Sequence, residues 1–165
     1  GYAPNVKEGY WTMSRKGLSP GQDCNCFAVR SAARHVTQFY DQFLAPIGLR
    51  TSQFSILSKL NRLGPLTINA LAKEMVMDRT TLGRNIQPLE RDGLIRTEQV
   101  ASDLRAKELY LTKAGKKRLQ EAFSGWSRAQ AQFEKSFGAD RSAELRALLG
   151  AVVADKSTAV QPAAR

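Results

Sequence analysis

Side chains suited to soft-metal, disulfide or acid–base chemistry are scarce in this sequence of 165 residues: cysteine occurs twice, at Cys24 and Cys26, and histidine once, at His35. Two cysteines so close together cannot staple a fold of this length, which fits a reducing compartment. With one histidine they are also too few for a four-ligand structural zinc site. No apolar run approaches the roughly 20 residues that span a bilayer, the longest being 147–154. The N-terminal stretch lacks the apolar centre of a secretion signal, so a soluble, cytoplasmic protein with no membrane partner is expected. No carboxylate pair, phosphate-cradling glycine loop or Ser/His/Asp set is apparent, so the expectation is no catalytic residue, no metal and no cofactor.

Acidic residues are in deficit. Fifteen Asp and Glu face 25 Lys and Arg, a formal charge of +10 that favours a polyanionic partner, either nucleic acid or an anionic membrane surface. The basic residues are dispersed instead of lining one face of an amphipathic helix, which argues against a membrane surface. No aromatic-bearing sheet of the kind that stacks RNA bases is apparent either. A basic protein binding nucleic acid without sequence preference stays open as a distant alternative.

Periodicity indicates a mainly α chain with a minor β component. Val29, Ala33, Val36, Tyr40, Phe43 and Ile47 recur at steps of four and three, which predicts a long helix ended by Pro46 and Gly48. A second helix is expected over 51–63, with Phe54, Leu57 and Leu60 inward. Two capped helices follow. Thr67 can cap the first while Leu66 packs on Leu71, and Asp78 can cap the second while Met77 packs on Leu82. Two capped helices separated by a short turn form a helix-turn-helix. Beyond Gly93, residues 94–100 and 107–111 can pair as a hairpin around Ser102 and Asp103, a two-stranded wing. Thr112 then opens a long helix carrying Leu119, Phe123, Trp126 and Phe133, and a last helix carries Leu145, Leu148, Leu149, Val152 and Val153.

The helix over 78–93 (DRTTLGRNIQPLERDG) turns Leu82, Ile86 and Leu89 to one side and Thr80, Arg84, Gln87 and Arg91 to the other, flanked by Arg79, Thr81 and Asn85. Arginine, asparagine, glutamine and threonine are the side chains that hydrogen-bond base edges and phosphates in a major groove. The bland alternative is a merely solvated face. Gly83 weakens the helix and would let its backbone approach a duplex; Pro88 removes one helical bond. In the wing, Arg105 is placed to enter a narrow minor groove, with Asp103 pairing with it to aim the guanidinium.

The run DRTTLGRNIQPLERDGLI, the wing residues Asp103 and Arg105 and the closing LYLTKAG at 109–115 resemble the MarR family of bacterial transcriptional regulators, over about residues 24–156. The resemblance implies a homodimer with winged helix-turn-helix lobes at about 51–111 and dimerisation helices at about 24–47 and 112–156. It also implies binding of a pseudo-palindromic operator in double-stranded DNA, usually as a repressor released by a small aromatic effector or an oxidant. Residues 1–22 are expected to be flexible and 157–165 a frayed tail. Cys26 with Tyr40 resembles the oxidant-sensing branch of that family, in which tyrosines hold a cysteine, although Arg30 stands where that branch has a tyrosine. A redox-sensing regulator using Cys24 or Cys26 is therefore the alternative to ligand sensing. The apolar stripes of the first and last two helices predict burial against a second copy, the alternative being closure of a monomeric bundle.

Overall fold

The computed structural model of the protein describes residues 5–7, 10–12 and 23–158. The expectations of a flexible 1–22 segment and a frayed tail thus fall largely outside the described residues. Within the former, two short strands, β1 (Asn5–Lys7) and β2 (Tyr10–Thr12), pair antiparallel with Val6 opposite Trp11. The chain divides into two compact units, residues 1–39 and 40–165.

α1 (Asn25–Leu44) gives way to a single 3-10 turn at Ala45–Ile47 because Pro46 has no N–H with which to continue the α-helix. Gly48 then adopts φ +72°, and its N–H closes on the Ala45 carbonyl at 2.9 Å. α2 (Thr51–Leu63) follows as expected. β3 (Leu66–Thr67) leads into α3 (Ile68–Met75), where the Thr67 hydroxyl accepts the Ala70 N–H at 3.1 Å. α4 (Arg79–Arg91) is capped in turn by Asp78. β4 (Ile95–Val100) and β5 (Asp103–Leu111) form the wing. α5 (Lys113–Phe137) and α6 (Ala139–Ala154) complete the order.

Two details of the sheet depart from the expected hairpin. Leu66–Thr67 pairs with β5, Leu66 opposite Leu109, so the antiparallel sheet has three strands in the order β3-β5-β4. The turn is also tighter. Val100 pairs with Asp103 across Ala101 and Ser102, a register shift between Gln99 and Val100 absorbs the irregularity, and Asp103 and Arg105 belong to β5 itself. A bulge of this kind adds local twist, which carries a wing tip away from the plane of its base.

The core gathers one stripe from each element of the reader: Ile56 and Leu57 of α2, Leu71 of α3, Leu82 and Leu89 of α4, Ile95 of β4 and Leu109 of β5, all at most 2% exposed. α5 joins it through two glycines. A Cβ on Gly115 would lie 2.0 Å from the Leu94 carbonyl oxygen, and one on Gly125 would lie 2.5 Å from that of Phe43. Thr112 fastens the first contact. Its hydroxyl donates to the Gly93 carbonyl at 2.7 Å and accepts the Gly115 N–H at 3.0 Å, and its own N–H reaches the Leu94 carbonyl at 3.1 Å.

α6 contributes little to this core, its only buried residue being Ser142. Leu148, Leu149, Val152 and Val153 are exposed, as are Phe27 and Val29 of α1. The expected apolar stripe of α6 thus lies largely on its surface.

The glycines predict opposite outcomes for one substitution. Gly125→Ala forces a methyl into a backbone carbonyl and should lower stability by about 1–3 kcal/mol. Gly83→Ala, where nothing lies within 4 Å of the added carbon, should raise it by about 1 kcal/mol. Urea unfolding of the two variants beside the native chain checks both signs.

Candidate functional site

α3 ends on Val76, which holds φ 52°, a left-handed conformation that a β-branched residue adopts only under constraint. The constraint is visible: its N–H and that of Met77 close back on the Lys73 and Ala72 carbonyls at 3.2 and 2.9 Å. This reversal starts α4 in a new direction. Asp78 then accepts the Thr81 N–H at 2.8 Å and the Thr81 hydroxyl at 2.6 Å. Those two bonds, the hydroxyl's first, stabilise the ionised carboxylate and lower its pKa.

Burial of Leu82, Ile86 and Leu89 presses one side of α4 into the core and fixes its rotation. Arg79, Thr80, Thr81, Arg84, Gln87 and Arg91 are exposed, as the helical spacing requires. Asn85 differs. It is half-buried, with its Oδ1 accepting from Ser52 Oγ at 2.7 Å and its Nδ2 donating to the Thr81 carbonyl at 2.9 Å. The side chain thereby ties α4 to the start of α2, a partner that no periodicity could have indicated. The helix runs on through Pro88, which leaves the Arg84 carbonyl without its usual donor four residues later.

In the wing, Asp103 does engage Arg105, but through the backbone: Oδ1 accepts the Arg105 N–H at 3.0 Å. The carboxylate thus shapes the strand entry that presents Arg105, instead of pairing with the guanidinium as the sequence led us to expect. Behind the tip, Arg96 pairs with Glu98 on β4 and its guanidinium lies 4.9 Å from the Tyr110 ring centre, while the Tyr110 hydroxyl donates to Glu108 at 3.0 Å. That last bond is the main reason the Tyr110 pKa is raised. These contacts brace the hairpin with charges of both signs, whereas Arg105 is exposed.

The residues considered for sensing fall in different units. Cys24 is half-buried at the start of α1, its sulfur 3.4 Å from the Phe27 N–H that it accepts, and Cys26 is exposed. Tyr40, in the other unit, donates to Gln130 Oε1 at 2.6 Å. Gln130 donates onward to Glu134 at 2.7 Å, and Arg146 of α6 reaches the same carboxylate oxygen at 3.3 Å. Burial, followed by the Glu134 charge, raises the Tyr40 pKa. Among the described residues no group of three His, Cys, Asp or Glu is placed to hold a metal ion, and no helix is long and apolar enough to cross a membrane.

A cavity of about 300 Å³ opens between α2 and α5. Its aromatic wall is Phe54, Phe123 and Trp126, with Phe54 and Trp126 stacked at 6.1 Å and Phe123 and Trp126 tilted at 5.5 Å between ring centres. A second cleft of about 540 Å³ lies between the start of α2 and α4, lined in part by Arg50, Gln53, Arg84, Asn85 and Arg91.

Residues 49–107 match the MarR family. The uncharacterized HTH-type transcriptional regulator YwoH of Bacillus subtilis (strain 168) is 31% identical over 93 residues, 56% of this chain and 67% of its own. An uncharacterized HTH-type transcriptional regulator of Bacillus anthracis is 30% identical over 100 residues, 61% of this chain and 63% of its own. Among solved structures, the M. tuberculosis transcriptional regulator MosR superposes with a TM-score of 0.69 at 34% identity, covering 82% of this chain and 99% of that one. MosR in complex with DNA gives a TM-score of 0.68 at 37% identity, covering 79% and 97%. With its winged helix-turn-helix and these likenesses, the chain belongs to the MarR family of transcriptional regulators.

Proposed function

We propose that the protein is a sequence-specific regulator that binds a pseudo-palindromic operator in double-stranded DNA as a homodimer, acting as a repressor in the compartment that holds the genome. The observation that carries this reading is the one-sided packing of α4. Its apolar stripe is buried, while Thr80, Arg84 and Gln87 stand exposed beside Arg79 and Thr81. Those side chains suit base edges and flanking phosphates. Asn85 serves this face by tying α4 to the start of α2 through Ser52, and its remaining amide hydrogen can still donate to a base. Arg105, presented by the Asp103 bond, reaches the neighbouring minor groove. MosR, a relative at 37% identity, is known in complex with DNA, which supports DNA as the partner.

The second copy covers the exposed apolar residues of α1 and α6, since surface of that kind on two terminal helices is where a two-fold partner packs. Release follows from the cavity between α2 and α5, whose stacked Phe54 and Trp126 and tilted Phe123 suit one planar aromatic ring. The cavity favours an aromatic ligand over an oxidant as the effector. Cys24 and Cys26 are the groups through which an oxidant would act.

Arg84→Ala should lose about 1–3 kcal/mol of discrimination at one base pair per half-site, and Arg105→Ala should weaken binding most at A·T-rich flanks; selection of sites from a genomic fragment library, followed by titration of base-substituted duplexes, measures both. Binding should also weaken steeply with salt, and a flat profile would remove DNA as the partner. Light scattering should give twice the chain mass, and Leu148→Asp with Val152→Asp should give monomers of unchanged helix content. Single-ring phenols and aromatic acids should quench Trp126 and release the operator at matching concentrations, less so in Phe123→Ala. Release by peroxide alone, lost in Cys26→Ser, would transfer the sensing role to the thiols.

A further inference from the structure

The cleft between the start of α2 and α4 is not explained by reading bases. Arg50, at the cap of α2, lines it together with Arg84 and Arg91 of α4, and among its lining residues Asp92 is the only acid. Among the described residues no salt bridge involves Arg50 or Arg84. Arg91 pairs with its neighbour Asp92 at 3.3 Å, on an exposed surface where such a pair is weak and readily exchanged. Three arginines thus line one cleft with a single acidic residue among them.

The cleft is also built to stay in shape. Thr51 donates both its N–H and its hydroxyl to Asp41 Oδ1, at 2.7 and 2.6 Å, which anchors the first residue of α2. Ser52 Oγ bonds to Asn85 at 2.7 Å and so locks α2 to α4 across the cleft. The Arg50 N–H donates to Gln53 Oε1 at 3.0 Å, which orients that amide and leaves its NH2 group as a further donor. Several guanidinium and amide donors along one cleft match the several oxygens of a phosphate better than a single charge would.

We propose that this cleft seats one backbone phosphate of duplex DNA, held by Arg50, Gln53 and Arg91 with Arg84 at its edge. The inference rests on the reading of α4 as the DNA-recognition helix. Arg84 assigns the occupant's source: it lines the cleft and also stands on the exposed face of α4, so whatever fills the cleft adjoins whatever that face touches. A phosphate beside the groove meets both conditions. The seat would fix the angle and register of α4 on the duplex without reading sequence, the task that phosphate contacts perform.

The test is a salt series of binding, by fluorescence anisotropy, to an operator duplex obtained by site selection, with native protein, Arg50→Ala, Arg91→Ala and Arg50→Lys, each checked for an unchanged thermal midpoint. The alanine variants should weaken operator and base-substituted duplexes by the same factor. Each should lower the logarithmic salt slope by about 0.9 per phosphate lost, roughly 2 for a dimer, and Arg50→Lys should recover part of the slope. Unchanged slopes in both alanine variants, with native binding intact, would overturn the seat while leaving the DNA reading standing. A change of preference at one base pair would overturn it too, making the arginine a base reader. Inorganic phosphate titrated against chloride at matched ionic strength should compete no better with native protein than with Arg50→Ala. Competition that depends on Arg50 with no change in salt slope would show a site for a free anion instead. Failure of the native protein to bind any duplex would remove the recognition reading and the seat together.

Discussion

The placement of every proposed DNA contact depends on the burial of a single stripe of α4. Leu82, Ile86 and Leu89 are at most 4% exposed, and a helix held along one stripe has only one rotation about its axis. Because side chains around a helix are spaced by about 100°, fixing that stripe fixes where Thr80, Arg84 and Gln87 point. The polar bonds refine this placement. Asp78 sets the first turn through Thr81, Asn85 ties the middle to Ser52, and the Gly93 and Leu94 carbonyls receive Thr112 beyond the last. Hydrophobic burial supplies the rotation and hydrogen bonds supply the axial position.

Part of the basic charge is neutralised within the fold. Several basic residues are matched locally: Lys59 with Glu74, Arg96 with Glu98, Arg118 with Glu121 and Arg146 with Glu134. These pairs brace α2 to α3, the wing strand, α5 and the α5–α6 junction. The described salt bridges include none of Arg50, Arg79, Arg84 and Arg105. Of the net charge of +10, some thus falls on arginines without a described ion pair on the elements assigned to the duplex. Counterions condensed on DNA are displaced by such groups, which contributes to association without requiring new buried area.

Much of the reader was legible in the sequence because its signals are local. Thr67, Asp78 and Thr112 cap the helices that their positions indicated, and the apolar residues of α2 and α4 fall on the expected stripes. What escaped is tertiary or too short to show a period. Two residues of β3 cannot display alternation, yet Leu66 pairs with Leu109. The bulge at Gln99 and Val100 moved Asp103 and Arg105 from the turn into a strand, and the aspartate's partner proved to be a backbone amide. Val76 carries no sign of a left-handed turn, since its side chain disfavours one. Arg50 lies in a different element from Arg84, so only the folded chain brings the two to one cleft.

The two glycine contacts of α5 give that helix a mechanical character. At Gly115 it bears directly on the backbone that joins α4 to the wing, and at Gly125 it bears on the end of α1. A methyl group would not fit at either point, so these are bearings with almost no clearance. Phe123 and Trp126, which wall the aromatic cavity, flank the second. α5 spans 25 residues, a rod of about 37 Å, so a tilt of about 5° at one end carries the other through about 3 Å. That travel is comparable with the axial rise of about 3.4 Å per nucleotide along one DNA strand. Under the proposed ligand-release reading, no large rearrangement is therefore needed to spoil the fit: a lever of this length converts a slight change of angle into a misplaced wing.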